Sequence, residues 1–184
     1  MEDDKRRKFE DTVIPYFNAI YNSACRMTGD KSDADDLVQD VFLSAYKSFH
    51  QFAEGTHCKA WLYKILRNTF INRIKKKNRE AGYLSFEKFD ESVGLRLKAE
   101  GFSSSGFSSA LSLQPEINEG LDETIQKALN KLPEEFRMAI ILCDIEGFSY
   151  QEISEVLECP VGTVRSRINR ARRFLAEELK DLRA

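Results

Sequence analysis

The chain has 184 residues, enough for one ordinary domain or two small ones. Its 28 lysines and arginines nearly balance 30 aspartates and glutamates. Four scattered cysteines and two histidines leave no CxxC pair, and the chain shows no phosphate loop and no nucleophile–base constellation; neither an enzyme nor a cofactor or metal is expected. His57 beside Cys58 offers two ligand types, but sequence neighbours rarely make a metal site alone. The opening MEDDKRRKFEDT lacks an apolar core segment and no apolar run is long enough to span a bilayer, which argues against a signal peptide and a membrane span. The expectation is a cytoplasmic protein with reduced thiols, buried and inert.

The net charge of -2 hides a segregation. Lys64, Arg67, Arg73, Lys75, Lys76, Lys77 and Arg79 form one basic block, and Arg165, Arg167, Arg170, Arg172 and Arg173 form a second. Acidic residues gather at 30–40 and 116–158. The field near each patch, rather than the sum, selects a partner, so two distant basic patches point to two contacts on one polyanion.

In chain order, the first zone, 5–80, is helical and rich in aromatics. Phe9, Val13, Pro15, Phe17, Ile20, Tyr21 and Ala24 fit an opening helix that ends near Gly29. Asp33 can cap a second helix, DADDLVQDVFLSAYKSF, with Leu37, Val38, Val41, Phe42, Ala45 and Tyr46 on its buried side. Asp36, Gln39 and Asp40 share its polar face, for which a solvated acidic surface is the plain alternative. An EF-hand is excluded, because its central glycine and distal glutamate are missing. After a loop around Glu54-Gly55-Thr56, a third helix carries Ala60, Trp61, Leu62, Ile65, Leu66, Phe70 and Ile71 into the lysine run. Aromatics beside cations suit single-stranded nucleic acid, where rings stack on bases and charges follow the backbone. Trp61 is expected in the core, whereas Phe52, in a loop, is harder to explain by packing.

Periodicity fades over 81–120, where GFSSSGFSSALSLQPE has the composition of a linker. A second helical domain, 121–182, opens with Leu121, Ile125, Leu129 and Leu132. Another helix follows at Leu132-Pro133-Glu134-Glu135, with Phe136, Ala139, Ile140 and Leu142 inward. The stretch FSYQEISEVLECPVGTVRSRINRARR then reads as helix, tight turn, helix. Ser149 and Glu152 have capping-box spacing, and Ile153, Val156 and Leu157 line one face. Pro160 suits the first turn of the next helix, where its missing donor is not needed. There Val161, Val164 and Ile168 point inward, while Arg165, Ser166, Asn169 and Arg170 share the outer face. Arginine and asparagine fit guanine and adenine edges in the major groove, so the motif reads as a DNA-binding helix-turn-helix. A hairpin with a solvated basic face is the alternative. No strand pattern or repeat is visible, and the expected fold is all-α, two small helical domains on a flexible tether.

Together, DADDLVQDVFLSAY, KAWLYKILRNTFIN, LPEEFRMAI and CPVGTVRSRINRAR resemble, in order and spacing, a bacterial sigma factor of the extracytoplasmic-function (ECF) group within the sigma-70 family. The block SFHQFAEGTHCKAWLYKILRNTFIN looks most like the branch that answers thiol-oxidative stress. The resemblance implies that 5–80 is sigma region 2 and 121–182 sigma region 4. It implies that Asp36, Gln39 and Asp40 dock on the clamp helices of core RNA polymerase. Ser48, Phe52, Tyr63, Ile65 and Asn68 would surround the loop that captures a flipped base of the minus-ten element, with Lys64, Arg67 and Arg73 on nearby phosphates. Arg165, Ser166, Asn169 and Arg170 would read the minus-thirty-five duplex. An anti-sigma partner is implied as well. A free-standing DNA-binding regulator is the competing reading; it leaves Phe52, Tyr63 and Lys75 to Lys77 without a role.

Overall fold

The computed structural model describes residues 2–53, 57–81 and 119–180, and among these every regular element is helical. Residues 82–118 of the expected 81–120 linker and the Glu54-Gly55-Thr56 loop lie outside the described residues, while Ala81, Glu119 and Gly120 belong to helices. The chain divides into two compact units, Met1–Lys77 and Asn78–Ala184.

In the first unit, α1 (Glu2–Val13) and α2 (Phe17–Thr28) are separate helices joined by a 3₁₀ turn, Ile14–Tyr16, where one continuous helix was expected. Pro15 is the cause, because its ring clashes with the preceding turn and it has no amide to donate. Gly29 ends α2 in the left-handed region (φ 70°), its amide bonded to the Cys25 carbonyl at 2.8 Å. Helix α3 (Lys31–Ser48) is capped by Asp30, not Asp33: Asp30 Oδ1 accepts from the Asp33 amide at 2.9 Å. It buries Ala34, Leu37, Val38, Val41 and Ala45. Phe42 and Tyr46 are only half-buried, set against the rings of Phe17 and Phe9 respectively. Helix α4 (Cys58–Ala81) closes the core with Leu62, Tyr63, Leu66 and Phe70 and continues through the lysine run.

The second unit packs α5 (Glu119–Asn130), α6 (Glu134–Ile140), a π-helical turn (Ile141–Ile145), α7 (Tyr150–Leu157) and α8 (Val161–Glu178). Its core includes Ile125, Leu129, Leu132, Phe136, Ile140, Ala171 and Leu175. Arg137 is buried at 8% exposure and spans the α5–α6 corner, donating from Nη2 to the carbonyls of Asn130 (3.0 Å) and Leu132 (2.9 Å). These acceptors belong to a helix end that lacks its own amide donors. Desolvation lowers the Arg137 pKa from its ordinary value. No helix among the described residues is long and apolar enough to cross a membrane.

Candidate nucleic-acid and protein interfaces

The helix-turn-helix is built from local chemistry. Ser149 Oγ accepts from the Glu152 amide at 3.3 Å, and Glu152 Oε2 accepts from the Ser149 amide at 2.9 Å, completing the expected capping box. Glu158 leaves α7 in the left-handed region (φ 51°), and Ser154 Oγ donates to the Cys159 carbonyl at 2.7 Å. Pro160 caps α8 rather than opening its first turn. Ile153, Val156, Leu157, Val164 and Ile168 are buried, and Val161 is half-buried. On the opposite face of α8, Arg165, Ser166 and Asn169 are exposed and Arg170 is half-exposed. The Ser166 hydroxyl donates to the Thr163 carbonyl at 2.9 Å.

The second basic block splits in two. Arg167 pairs with Glu135 of α6 and sets Nη1 3.5 Å from Cys159 Sγ. Arg172 grips Asp144 with a two-pronged fork, Nε to Oδ2 at 3.0 Å and Nη2 to Oδ1 at 2.5 Å. The Asp144 side chain is 2% exposed, and its bond raises the Arg172 pKa further. These two arginines therefore anchor α8 to the preceding helices. Their positions beside the apolar stripe of Val164, Ile168 and Ala171 were the signal that could have separated them from the outward residues.

In the first unit, Asp36 and Gln39 are exposed on α3 and Asp40 is half-exposed. Arg73 does not stand with the outward cations: it pairs with Asp40 and donates from Nη2 to the Asp36 carbonyl at 2.8 Å. Lys77 pairs with Asp33 at 2.7 Å. Lys64 and Asn68 are exposed on α4, Ile65 and Arg67 are half-buried, and Arg67 Nη1 donates to Asn68 Oδ1 at 2.9 Å. Ser48 is half-buried, its hydroxyl donating to the Ser44 carbonyl at 2.7 Å.

Tyr63 is buried in the core of the first unit. Its side chain is 1% exposed, its hydroxyl lies 2.8 Å from Ser23 Oγ and donates to the Ala19 carbonyl at 3.2 Å. A ring enclosed on both faces has no surface on which a base can stack, so Tyr63 belongs to the core. Phe52, which had no packing explanation, has one: it follows the 3₁₀ turn Phe49–Gln51, with Trp61 at 5.0 Å and Phe49 at 5.9 Å between ring centroids. Phe49 also meets Phe9 edge-on at 5.3 Å, so the rings run from α1 to the loop. Phe52 and Trp61 both keep part of their surface. Phe49 was missed because sequence spacing alone does not show its link to Phe9.

All four cysteines are unpaired thiols. Burial pushes the Cys25 and Cys58 thiols up, and pushes Cys143 to about 11. Among the described residues, no three His, Cys, Asp or Glu side chains are placed to hold a metal ion.

A helix-turn-helix with an outward polar-basic face is the architecture of a DNA-binding protein, and the same chain carries a second helical unit with an acidic face and an aromatic-basic helix. Known proteins sharpen that class. Residues 13–80 match the model for Sigma-70 region 2, and residues 122–175 match Sigma-70, region 4. The chain is 36% identical over 177 residues to the ECF RNA polymerase sigma factor SigW of Bacillus subtilis, spanning 95% of this chain and 90% of that one. It is 32% identical over 180 residues to the ECF RNA polymerase sigma-E factor of Escherichia coli K12, spanning 96% and 89%. SigE of Mycolicibacterium smegmatis is 34% identical over 171 residues, with 93% of this chain spanning 61% of that protein. Among solved structures, the sigma factor RpoE of Bartonella quintana, determined with its anti-sigma factor NepR, superposes with TM-score 0.71 at 31% identity, covering 95% and 98% of the two chains. The chain belongs to the ECF sigma factors of the sigma-70 family.

Proposed function

We propose that the chain is a promoter-specificity subunit that binds core RNA polymerase and directs initiation at a defined set of promoters. The observation that carries this reading is the pairing, in one chain of this family, of an outward reading helix with a second unit bearing an acidic face and a basic, aromatic-flanked helix. Arg165, Ser166, Asn169 and Arg170 read the minus-thirty-five duplex through donors and acceptors in the major groove. Phe52, Ser48, Ile65 and Asn68 receive the melted minus-ten strand, while Lys64 and Arg67 neutralise phosphate. Unstacking a base costs a few kcal/mol, which ring stacking and edge hydrogen bonds offset. Asp36, Gln39 and Asp40 dock on polymerase. The domains assigned to these tasks are 5–80 and 121–182, tethered by 81–120.

The protein acts in the cytoplasm and catalyses no reaction itself. Its relative from Bartonella quintana was solved with an anti-sigma factor, which supports a partner of that class here. The raised thiol pKa values support a signal received through such a partner rather than through Cys25, Cys58 or Cys143.

Run-off transcription from a promoter library, using core polymerase with and without the chain, tests this reading. Initiation at a defined subset only when the chain is present is the expected result. Tight sequence-specific binding by the isolated chain, with transcription independent of it, would instead establish a free-standing regulator.

A further inference from the structure

The cations of α4 and the acids of α3 form one electrostatic unit. Arg73 Nε lies 3.0 Å from Asp40 Oδ2, and Nη2 reaches the same oxygen while also donating to the Asp36 carbonyl at 2.8 Å. One turn further along α4, Lys77 Nζ meets Asp33 Oδ2 at 2.7 Å. Both guanidinium donors converge on one carboxylate oxygen, so Arg73 leaves Oδ1 of Asp40 unengaged. The Asp40 side chain keeps 49% of its surface, and Arg73 keeps 32%.

We propose that Arg73 is a positioning residue for the polymerase-docking face, holding Asp40 so that its second oxygen meets a cationic group on the partner. This rests on Asp36, Gln39 and Asp40 being that face. Preorganisation of the carboxylate is the physical basis. An exposed aspartate samples several rotamers, and ordering it on binding costs free energy that a fixed carboxylate has already lost. The planar guanidinium suits the task because its forked donors serve the carboxylate and the neighbouring carbonyl together. An ammonium is a compact point charge on a flexible stem and holds that geometry less well. Arg73 and Lys77 also neutralise Asp40 and Asp33 in part, which concentrates the remaining negative field of the face at Asp36.

The test is a titration of core polymerase with the full-length labelled chain as wild type, Arg73→Gln, Arg73→Lys, Asp40→Asn and the Arg73→Gln/Asp40→Asn double variant. Thermal unfolding of each checks that the fold is intact. Arg73→Gln is expected to weaken core binding about three- to tenfold, a range set by the partial exposure of the pair. Arg73→Lys should recover part of that loss. In the Asp40→Asn background, Arg73→Gln should change affinity by less than about twofold, because its target is gone. Wild-type core binding by Arg73→Gln, or an equal loss in both backgrounds, would overturn the proposal. So would unchanged core binding together with a shallower salt dependence of holoenzyme–promoter binding, which would make Arg73 a phosphate contact. Failure of the docking face itself has a different signature: Asp36→Asn and Asp40→Asn would both bind core normally.

Discussion

The two units prepare their nucleic-acid surfaces in opposite ways. In the C-terminal unit the proposed reading face is set in the free protein: Arg165, Ser166 and Asn169 are exposed, on a helix pinned by Arg167 to Glu135 and by Arg172 to Asp144. In the N-terminal unit the aromatics are drawn inward, with Tyr63 in the core and Phe52 packed on Phe49 and Trp61. Duplex edges are presented by B-form geometry, so a rigid outward helix suffices to read them. A base taken from the stack needs a pocket to enter, and packed rings can supply its walls. On the proposed reading, the first surface is preformed and the second is completed by the strand it binds.

The largest effect should come from breaking the anchor of the preformed side. Asp144→Ala strands the Arg172 guanidinium and should destabilise the C-terminal unit by about 2–3 kcal/mol, less than a fully buried pair because Arg172 retains 24% of its surface. Chemical denaturation checks this, and stability unchanged within error would show that the fork does not anchor α8. Next, Arg165→Ala should remove about 1–3 kcal/mol of discrimination between cognate and mutant minus-thirty-five sequences while leaving the unfolding midpoint alone. Equal loss on every sequence would make Arg165 a phosphate contact.

On the other unit, Phe52→Ala should weaken holoenzyme binding to a single-stranded minus-ten oligonucleotide by about 1–3 kcal/mol, the worth of one stacked base. Tyr63→Phe should lower stability by about 1 kcal/mol, through loss of its hydrogen bonds, and leave oligonucleotide affinity unchanged. If Tyr63→Phe instead costs affinity at constant stability, the inward placement of that ring is not the one used on DNA. The smallest effect is chemical. With its thiol pushed to about 11, Cys143 should alkylate roughly 100-fold more slowly than an unperturbed thiol near neutral pH. The rate should rise about tenfold per pH unit up to that pKa, because only the thiolate reacts. A plateau near pH 9 would show the thiol to be unshielded.

What could be read from the chain alone was what depends on near neighbours. The Ser149–Glu152 capping box, the turn at Glu158-Cys159-Pro160, the Gly29 stop and the apolar stripes of α3 and α8 all rest on residues within a few positions of one another. Helical periodicity also sufficed to place Arg165, Ser166 and Asn169 on the outer face. Even locally, three expectations failed, one of them Pro160, which caps α8 instead of opening its first turn. Pro15 broke a helix that the apolar pattern ran through, and Asp30 took the cap assigned to Asp33, since a cap must sit before the first turn and not inside it. Tertiary structure alone decided the partners of side chains far apart in sequence: Arg73 with Asp40, 33 residues away, Arg172 with Asp144, 28 away, and Tyr63 with Ser23, 40 away. A basic run shows that charge is present but not which cations turn back onto the protein. That is settled by helix packing, because an arginine is drawn to whichever carboxylate the fold brings within reach of its fork.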